Sequence, residues 1–357
     1  MVTLIFKKFL YGFSILFGVL TIVFFLFKIL PADPARMMLD KREDAEQIEL
    51  INQKYGFNKP ISLQYLSYVN DISFISIYSL NKNSFISIHN KEINYFKFFD
   101  TNSYIFVAKL PVLGKSFIKQ EKSVASIIIS TFKNTLVLAI SSIIIAIVVG
   151  IIMGIVSAIN KDNIIDKFVL FFSALGMSLP SFFSAILIAW LFGFVFHQYT
   201  NLQMTGSLFE IDDYGSGYHL NVKNLILPSI TLGIRPLSVI SQLSRNSLLD
   251  VLNMDYIRTA KAKGLKFSKV LFKHALMNSL NPVVTAVSGW FASLLAGAVF
   301  VEYVFGWNGL GKEIVNALNT MDFPVVMGSV LFISIVFIII NLLVDLIYIW
   351  LDPRIKT

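Results

Sequence analysis

Apolar residues run almost unbroken through six stretches of the chain, at 9–30, 134–159, 168–196, 225–249, 283–305 and 325–351. A helix needs roughly 18–20 such residues to cross ~30 Å of hydrocarbon, so the pattern predicts an all-α membrane protein with six transmembrane helices. Lys7 and Lys8 precede the first run as they would in a secretory signal. Its apolar part is too long and no small-residue cleavage site follows, so we read it as a retained first helix. The fourth run is the weakest, since it carries Arg235, Gln242 and Arg245 together with Pro228 and Pro236.

Between the first two runs lies a polar segment, 31–131, too long for a bare connector. Ile48, Ile51 and Tyr55 recur at helical spacing within 43–55, and Gly56 offers a C-cap. The stretches 72–80 and 85–98 are rich in Ile, Phe, Tyr and Ser and flank Asn81-Lys82-Asn83-Ser84, which predicts two strands and a turn. The competing reading is a flexible insertion of Asn, Lys, Ile and Phe. The chain thus divides into a first helix (1–30), an extracytoplasmic segment (31–131) with an inserted β region at 70–109, and a five-helix core (132–357) containing a loop at 250–281.

Composition agrees: 55% of the 357 residues are hydrophobic, 15% are charged and the mean hydropathy is +0.70, which excludes a water-soluble globule and intrinsic disorder. The net charge of +8 matters through its placement. With six crossings and a cytoplasmic N-terminus, Lys161, Lys167, Arg245, Arg258 and Lys261 through Lys273 fall inside, while the short outer loops hold only Lys223 and Lys312. That is the asymmetry the positive-inside rule demands, and removing the fourth span would put the most basic loop outside. The expectation is a multi-pass protein of the cell's inner membrane with both termini cytoplasmic.

Candidate chemistry is sparse. There is no cysteine, hence no disulfide, thiol nucleophile or thiolate metal site. Gly114-Lys115-Ser116 suggests a phosphate loop, but that motif needs a glycine where Lys109 stands. His89, His197, His219 and His274 have no ligand spacing, so no metal site is expected, and no catalytic grouping of Ser, His and Asp is visible. A catalytic centre within this chain is not expected, nor is a nucleic-acid partner; transport or scaffolding remains.

Residues 255–264, Asp255-Tyr256-Ile257-Arg258-Thr259-Ala260-Lys261-Ala262-Lys263-Gly264, predict a short helix stopped at the glycine, followed by a second begun by Ser268. Thr259, Ala260 and Ala262 leave little bulk, so another protein's backbone could approach closely. On composition alone, the stretch is equally a basic amphipathic loop that satisfies the positive-inside rule.

This stretch closely resembles the cytoplasmic loop of ABC importer permeases, in the form of the B-type subunit of dipeptide and oligopeptide importers. Further matches occur in order: Leu30-Pro31-Ala32-Asp33-Pro34-Ala35, Tyr55-Gly56-Phe57-Asn58-Lys59-Pro60, Leu113-Gly114-Lys115-Ser116-Phe117, Ser178-Leu179-Pro180-Ser181-Phe182, Glu302-Tyr303-Val304-Phe305, Asp322-Phe323-Pro324-Val325-Val326 and Asp352-Pro353-Arg354. Three departures stand out. Arg258-Thr259-Ala260 occupies the place of a Glu-Ala-Ala signature, Asn308 that of a common proline, and 70–109 is an insertion.

The resemblance implies a permease subunit that pairs with a homologous second permease, docks two cytoplasmic ATP-binding subunits and receives peptides or similar small solutes from an extracytoplasmic solute-binding protein. ATP and Mg would bind those partner subunits, with no cofactor in this chain. Asp255, Tyr256, Arg258, Thr259, Ala260, Ala262 and Gly264 would couple to the ATPase, while Glu302, Trp307, Gly309 and Gly311 would form an outer gate or re-entrant segment. The alternative class is a secondary transporter or channel without ATPase partners. Arg235 lies ~15 Å into its helix and Asp345 ~9 Å from the other membrane face, at 1.5 Å per residue, which puts them at similar depth in a ~30 Å core. An intramembrane charge is paired or faces a wet pathway, so Arg235 and Asp345 are candidates for the translocation path, joined to each other or satisfied separately.

Overall fold

The structure is a computed structural model and describes residues 2–29, 34–38, 45–82, 84–91, 93–119, 122–211 and 217–351. The chain forms two compact units, 1–130 with 316–334 and 131–315 with 335–357. Four helices are long and apolar enough to cross a membrane among the described residues, Leu10–Ile29, Val124–Ile159, Lys223–Leu252 and Phe323–Val344. Two bent helix pairs each have the composition of one further span.

In the first unit, Leu20 and Phe24 are buried with Met327 and Leu331. The Phe24 ring lies 5.2 Å from Tyr65 and 5.8 Å from Phe323, and the Thr21 and Tyr65 hydroxyls are 2.7 Å apart. Two of the matched motifs meet here. Ser116 Oγ donates to the buried Asp322 carboxylate, and the Phe117 N–H donates to it at 3.1 Å. Helix Ala45–Tyr55 stops at Gly56, where φ is +69° and the Phe85 ring would lie 2.8 Å from a Cβ, so only glycine fits.

The segment 31–131 holds a sheet of three antiparallel strands, β1 (Ile75–Ser79), β2 (Tyr95–Asp100) and β3 (Tyr104–Lys109), in the order β1-β3-β2. The sequence pattern put a turn between strands at 72–80 and 85–98 and missed β3. Residues 88–90 instead form a 3-10 turn, and β2 pairs with β3 around Thr101. The central strand alternates, with Ile105 and Val107 buried beside Tyr78 and Ile88, whereas every residue of β2 is exposed, as an edge strand permits. That alternation is the signal by which the middle strand could have been found.

Lys109 ends β3 and its side chain is buried against the end of helix Ile61–Ile72, where Nζ donates to the carbonyls of Asp71 at 2.5 Å and Ser73 at 3.1 Å. The Asp71 carboxylate accepts from the Tyr78 hydroxyl at 2.9 Å and from Lys91 Nζ at 2.6 Å. Burial pushes the Lys109 ammonium down to about 8, opposed by the Asp71 charge and reinforced by Lys91. Burial and the same Asp71 raise the Tyr78 hydroxyl.

In the second unit, helix Val124–Ile159 lies against helix Lys223–Leu252 with almost no side chain between their backbones. A Cβ at Gly150 would sit 2.9 Å from the Leu237 carbonyl, one at Gly154 2.7 Å from that of Ser241, and one at Gly233 2.9 Å from that of Ser142. Leu138, Ile143, Ile188, Leu227, Leu294 and Trp307 fill the core around this seam.

The apolar run 168–196 predicted one straight span. Instead Ile164–Ser178 and Ser181–Val195 meet at 112°, because Pro180 cannot donate and holds Leu179 in extended geometry, φ −72° and ψ 132°. Asn281–Leu295 and Val299–Phe305 likewise meet at 57°.

Because Lys109 titrates near 8 in the fold against 10.5 in an open chain, the unfolded segment binds more protons between these values and stability rises with pH across that window. Pulse proteolysis of the segment 31–131 from pH 7 to 10 should show progressively less cleavage. Lys109→Met should flatten that dependence; an unchanged slope would remove Lys109 as its source.

Candidate functional site

Helix Asp255–Ala262 has two faces. Ile257 and Ala260 are buried with Leu248, Val251, Val270 and Leu271, while Asp255, Tyr256, Arg258, Thr259 and Ala262 are exposed. Asp255 and Arg258 form a loose pair at 3.5 Å, and Thr259 Oγ1 donates to the Asp255 carbonyl at 3.0 Å. The Tyr256 hydroxyl accepts from Asn278 at 3.1 Å, which ties the helix to the following segment.

Ala260 therefore does not offer the close outward approach that its small size suggested: it is small because the loop's own core is tight. Gly264 has φ of +74° and open space where a Cβ would be, so its conformation rather than its bulk needs glycine. The second helix begins at Phe267 rather than after Ser268 and widens into a π-helix over Val270–Leu276, which turns Val270, Leu271 and Ala275 into the same core.

A pair that the sequence reading left apart clamps this region. Arg245, noted above as a charge in the fourth run and among the inner positive charges, donates Nε to Asp166 Oδ1 at 2.7 Å and a terminal nitrogen to Oδ2 at 2.6 Å. The Ser157 hydroxyl and the Asp162 N–H, at 2.9 Å, also donate to that carboxylate. The planar fork thus joins two helices, and the Ser157 hydroxyl brings a third to the same carboxylate. The available signal was an acidic residue in the first turn of a membrane helix, which must find donors.

Glu302, Trp307, Gly309 and Gly311 come together around one buried carboxylate. Glu302 is fully buried and accepts from Thr135 Oγ1 at 2.7 Å, the Gly311 N–H at 2.7 Å and the Lys312 N–H at 3.1 Å, so it caps helix Leu310–Asn319 from outside that helix. Trp307 is fully buried and its indole N–H donates to the Asn134 carbonyl at 3.1 Å. A Cβ on Gly309 would overlap the Glu302 carboxylate, and one on Gly311 would lie 2.5 Å from Val299 Cα. Asn134 and Thr135, which the sequence reading passed over, are polar residues opening an otherwise apolar run.

Arg235 lines a cleft beside the bend at Pro180, with Ser181, Ser184, Thr231, Trp290 and Ser293. The Asp345 side chain, its suggested partner, lies outside the described residues, as do 30–33 and 352–354 of the matched motifs.

Residues 146–357 match the family described as binding-protein-dependent transport system inner membrane component, and residues 1–84 match the N-terminal model of such membrane components. The chain belongs to this family of importer permeases. It is 30% identical to the dipeptide transport system permease protein DppB of Alkalihalophilus pseudofirmus over 96% of each chain. It is 29% identical to the oligopeptide permease AppB of Bacillus subtilis over the full length of both. It is 31% identical to the glutathione permease GsiC of Escherichia coli over 100% of this chain and 99% of that one. Among solved structures, an inward-facing MetNI methionine ABC transporter is 16% identical with a TM-score of 0.46, covering 62% of this chain and 95% of that one. The chain is a multi-pass membrane permease subunit of an ABC importer, and the secondary-transporter reading is set aside.

Gly309→Ala should displace the Glu302 carboxylate and cost about 1–3 kcal/mol, the range for overpacking a filled site. The check is a thermal shift of the purified protein in detergent; an unchanged midpoint would mean that the turn is looser than its packing implies.

Proposed function

We propose that this subunit carries peptides across the inner membrane, delivered by an extracytoplasmic solute-binding protein, through a path shared with a homologous second permease. Full-length similarity to dipeptide, oligopeptide and glutathione permeases supports this substrate class. Each bent pair counts as one crossing, giving six spans, and the basic loop at 250–281 then lies inside with both termini. Two ATP-binding subunits, which hold ATP and Mg, dock on that loop.

The two-faced helix Asp255–Ala262 carries this reading. Its inner face is spent on the chain's own core, leaving Asp255, Tyr256, Arg258, Thr259 and Ala262 as a compact outward face that small residues keep open to another backbone. ATP-driven closure of the partner subunits would move this helix, and the clamped Asp166 and Arg245 would pass the movement to the membrane helices. Glu302, Trp307, Gly309 and Gly311 fix a rigid turn that forms the outer gate, and Arg235 with Asp345 lies along the path. The outer sheet exposes Ile75, Phe96 and Phe99 and offers a surface to the delivery protein.

Ala262→Trp places bulk on the outward face without touching the buried Ile257 and Ala260. Membrane insertion should be unchanged, whereas co-purification of the ATP-binding subunits and solute-stimulated ATP hydrolysis should each fall at least tenfold. Parental ATPase activity in this variant would refute docking at this helix. Ala260→Glu should instead lower expression, because it buries a charge in the loop's core.

A further inference from the structure

The cleft beside Pro180 gathers features that the permease role alone does not require. Helix Ser181–Trp190 starts at its wall after the 112° bend, and no side chain caps its N-terminus. The first-turn N–H groups of such a helix have no intrahelical partners and carry partial positive charge. Arg235 reaches the same cleft from helix Lys223–Leu252, is exposed there, and makes no ion pair among the described residues. Ser184 also lines it, and this residue is 5% exposed.

A full positive charge, a helix N-terminus and the Ser184 hydroxyl thus face one space, with Trp290 providing an apolar wall. All three polar features suit an anion. Helix N-termini and guanidinium groups together make a carboxylate site in which the planar fork donates to two oxygens. Ser181 and Ser293 add hydroxyls that can follow a moving ligand without holding it tightly.

We propose that this cleft is a carboxylate-binding station on the translocation path, which takes the C-terminal carboxylate of a small peptide. The assignment rests on the peptide-import reading above and adds the group of the solute that this subunit recognises. Arg235 is the charge partner, Ser184 a hydrogen-bond donor, and the start of helix Ser181–Trp190 supplies backbone N–H groups. A station of this kind selects against peptides lacking the terminal charge, because burying Arg235 beside a neutral amide leaves the cation uncompensated.

The test uses the complete complex in nanodiscs and proteoliposomes, in two arms. In the first, Arg235 is modified with phenylglyoxal and the rate is followed by peptide mapping, with N-acetyl-dialanine or its C-terminal amide present. The acid should slow modification at least fivefold and the amide less than twofold, and Ser184→Ala should weaken the protection. Equal effects of acid and amide, or none, overturn the site. In the second arm, uptake of dialanine is measured in the parent, Arg235→Gln and Arg235→Lys. The glutamine variant should raise KM at least tenfold with a smaller change in kcat, and lysine should restore part of the loss; a purely structural role would lower both variants alike. Protection of Arg235 without dialanine uptake by the parent would retain the anion site and remove peptide import, whereas uptake that is unaffected in Arg235→Gln would remove the site and retain peptide import.

Discussion

A carboxylate cannot stay ionised inside an apolar interior without donors, and Asp166, Glu302 and Asp322, three of the carboxylates buried among the described residues, show how this chain meets that constraint. Asp322 accepts from Ser116 and the Phe117 N–H, Glu302 from Thr135 and the N–H groups of Gly311 and Lys312, and Asp166 from Ser157, the Asp162 N–H and Arg245. In each case one hydroxyl comes from elsewhere in the chain and at least one backbone N–H from a turn or a helix start. The acid thereby satisfies backbone groups that would otherwise be orphaned in an apolar setting. Each carboxylate fixes a segment where regular helix gives way to irregular chain.

Between these fixed points, contact is made by removing side chains. Gly150, Gly154 and Gly233 bring helices Val124–Ile159 and Lys223–Leu252 to backbone contact, and Ser238 meets helix Ile164–Ser178 at Gly176. Apolar lipid gives no hydrophobic drive for helices to associate, so close van der Waals approach through small residues is the main attraction available. The sharp Pro180 bend and the turn at 302–311 stand on this seam and its adjoining core, which keeps the cleft at Arg235 and the turn beneath Trp307 in set positions.

The loop at the other end follows a different logic. Its helix is short, and the surrounding π-segment directs apolar residues inward so that small and charged residues remain outside. A surface of this kind suits a contact that must transmit movement, because its inner face is rigidly packed while its outer face has little bulk to rearrange. Arg245 and Asp166 link this packing to three membrane helices.

Hydrophobic run length located the four long apolar helices, because twenty apolar residues have few other stable settings, and Gly56 and Gly264 marked the ends of their own helices because only glycine readily takes positive φ there. The ordered motifs pointed to the family, since they are local signatures readable residue by residue. Tertiary structure decided what depends on partners distant in sequence. It showed that Ala260 faces inward, that Asp166 meets Arg245, that Thr135 lies under Glu302, and that β3 stands between β1 and β2. None of these follows from periodicity, because a hydrogen-bond partner or an interior neighbour is chosen by the packing of the whole unit, and the same side chain reads alike in sequence whether it faces a core, a cleft or solvent.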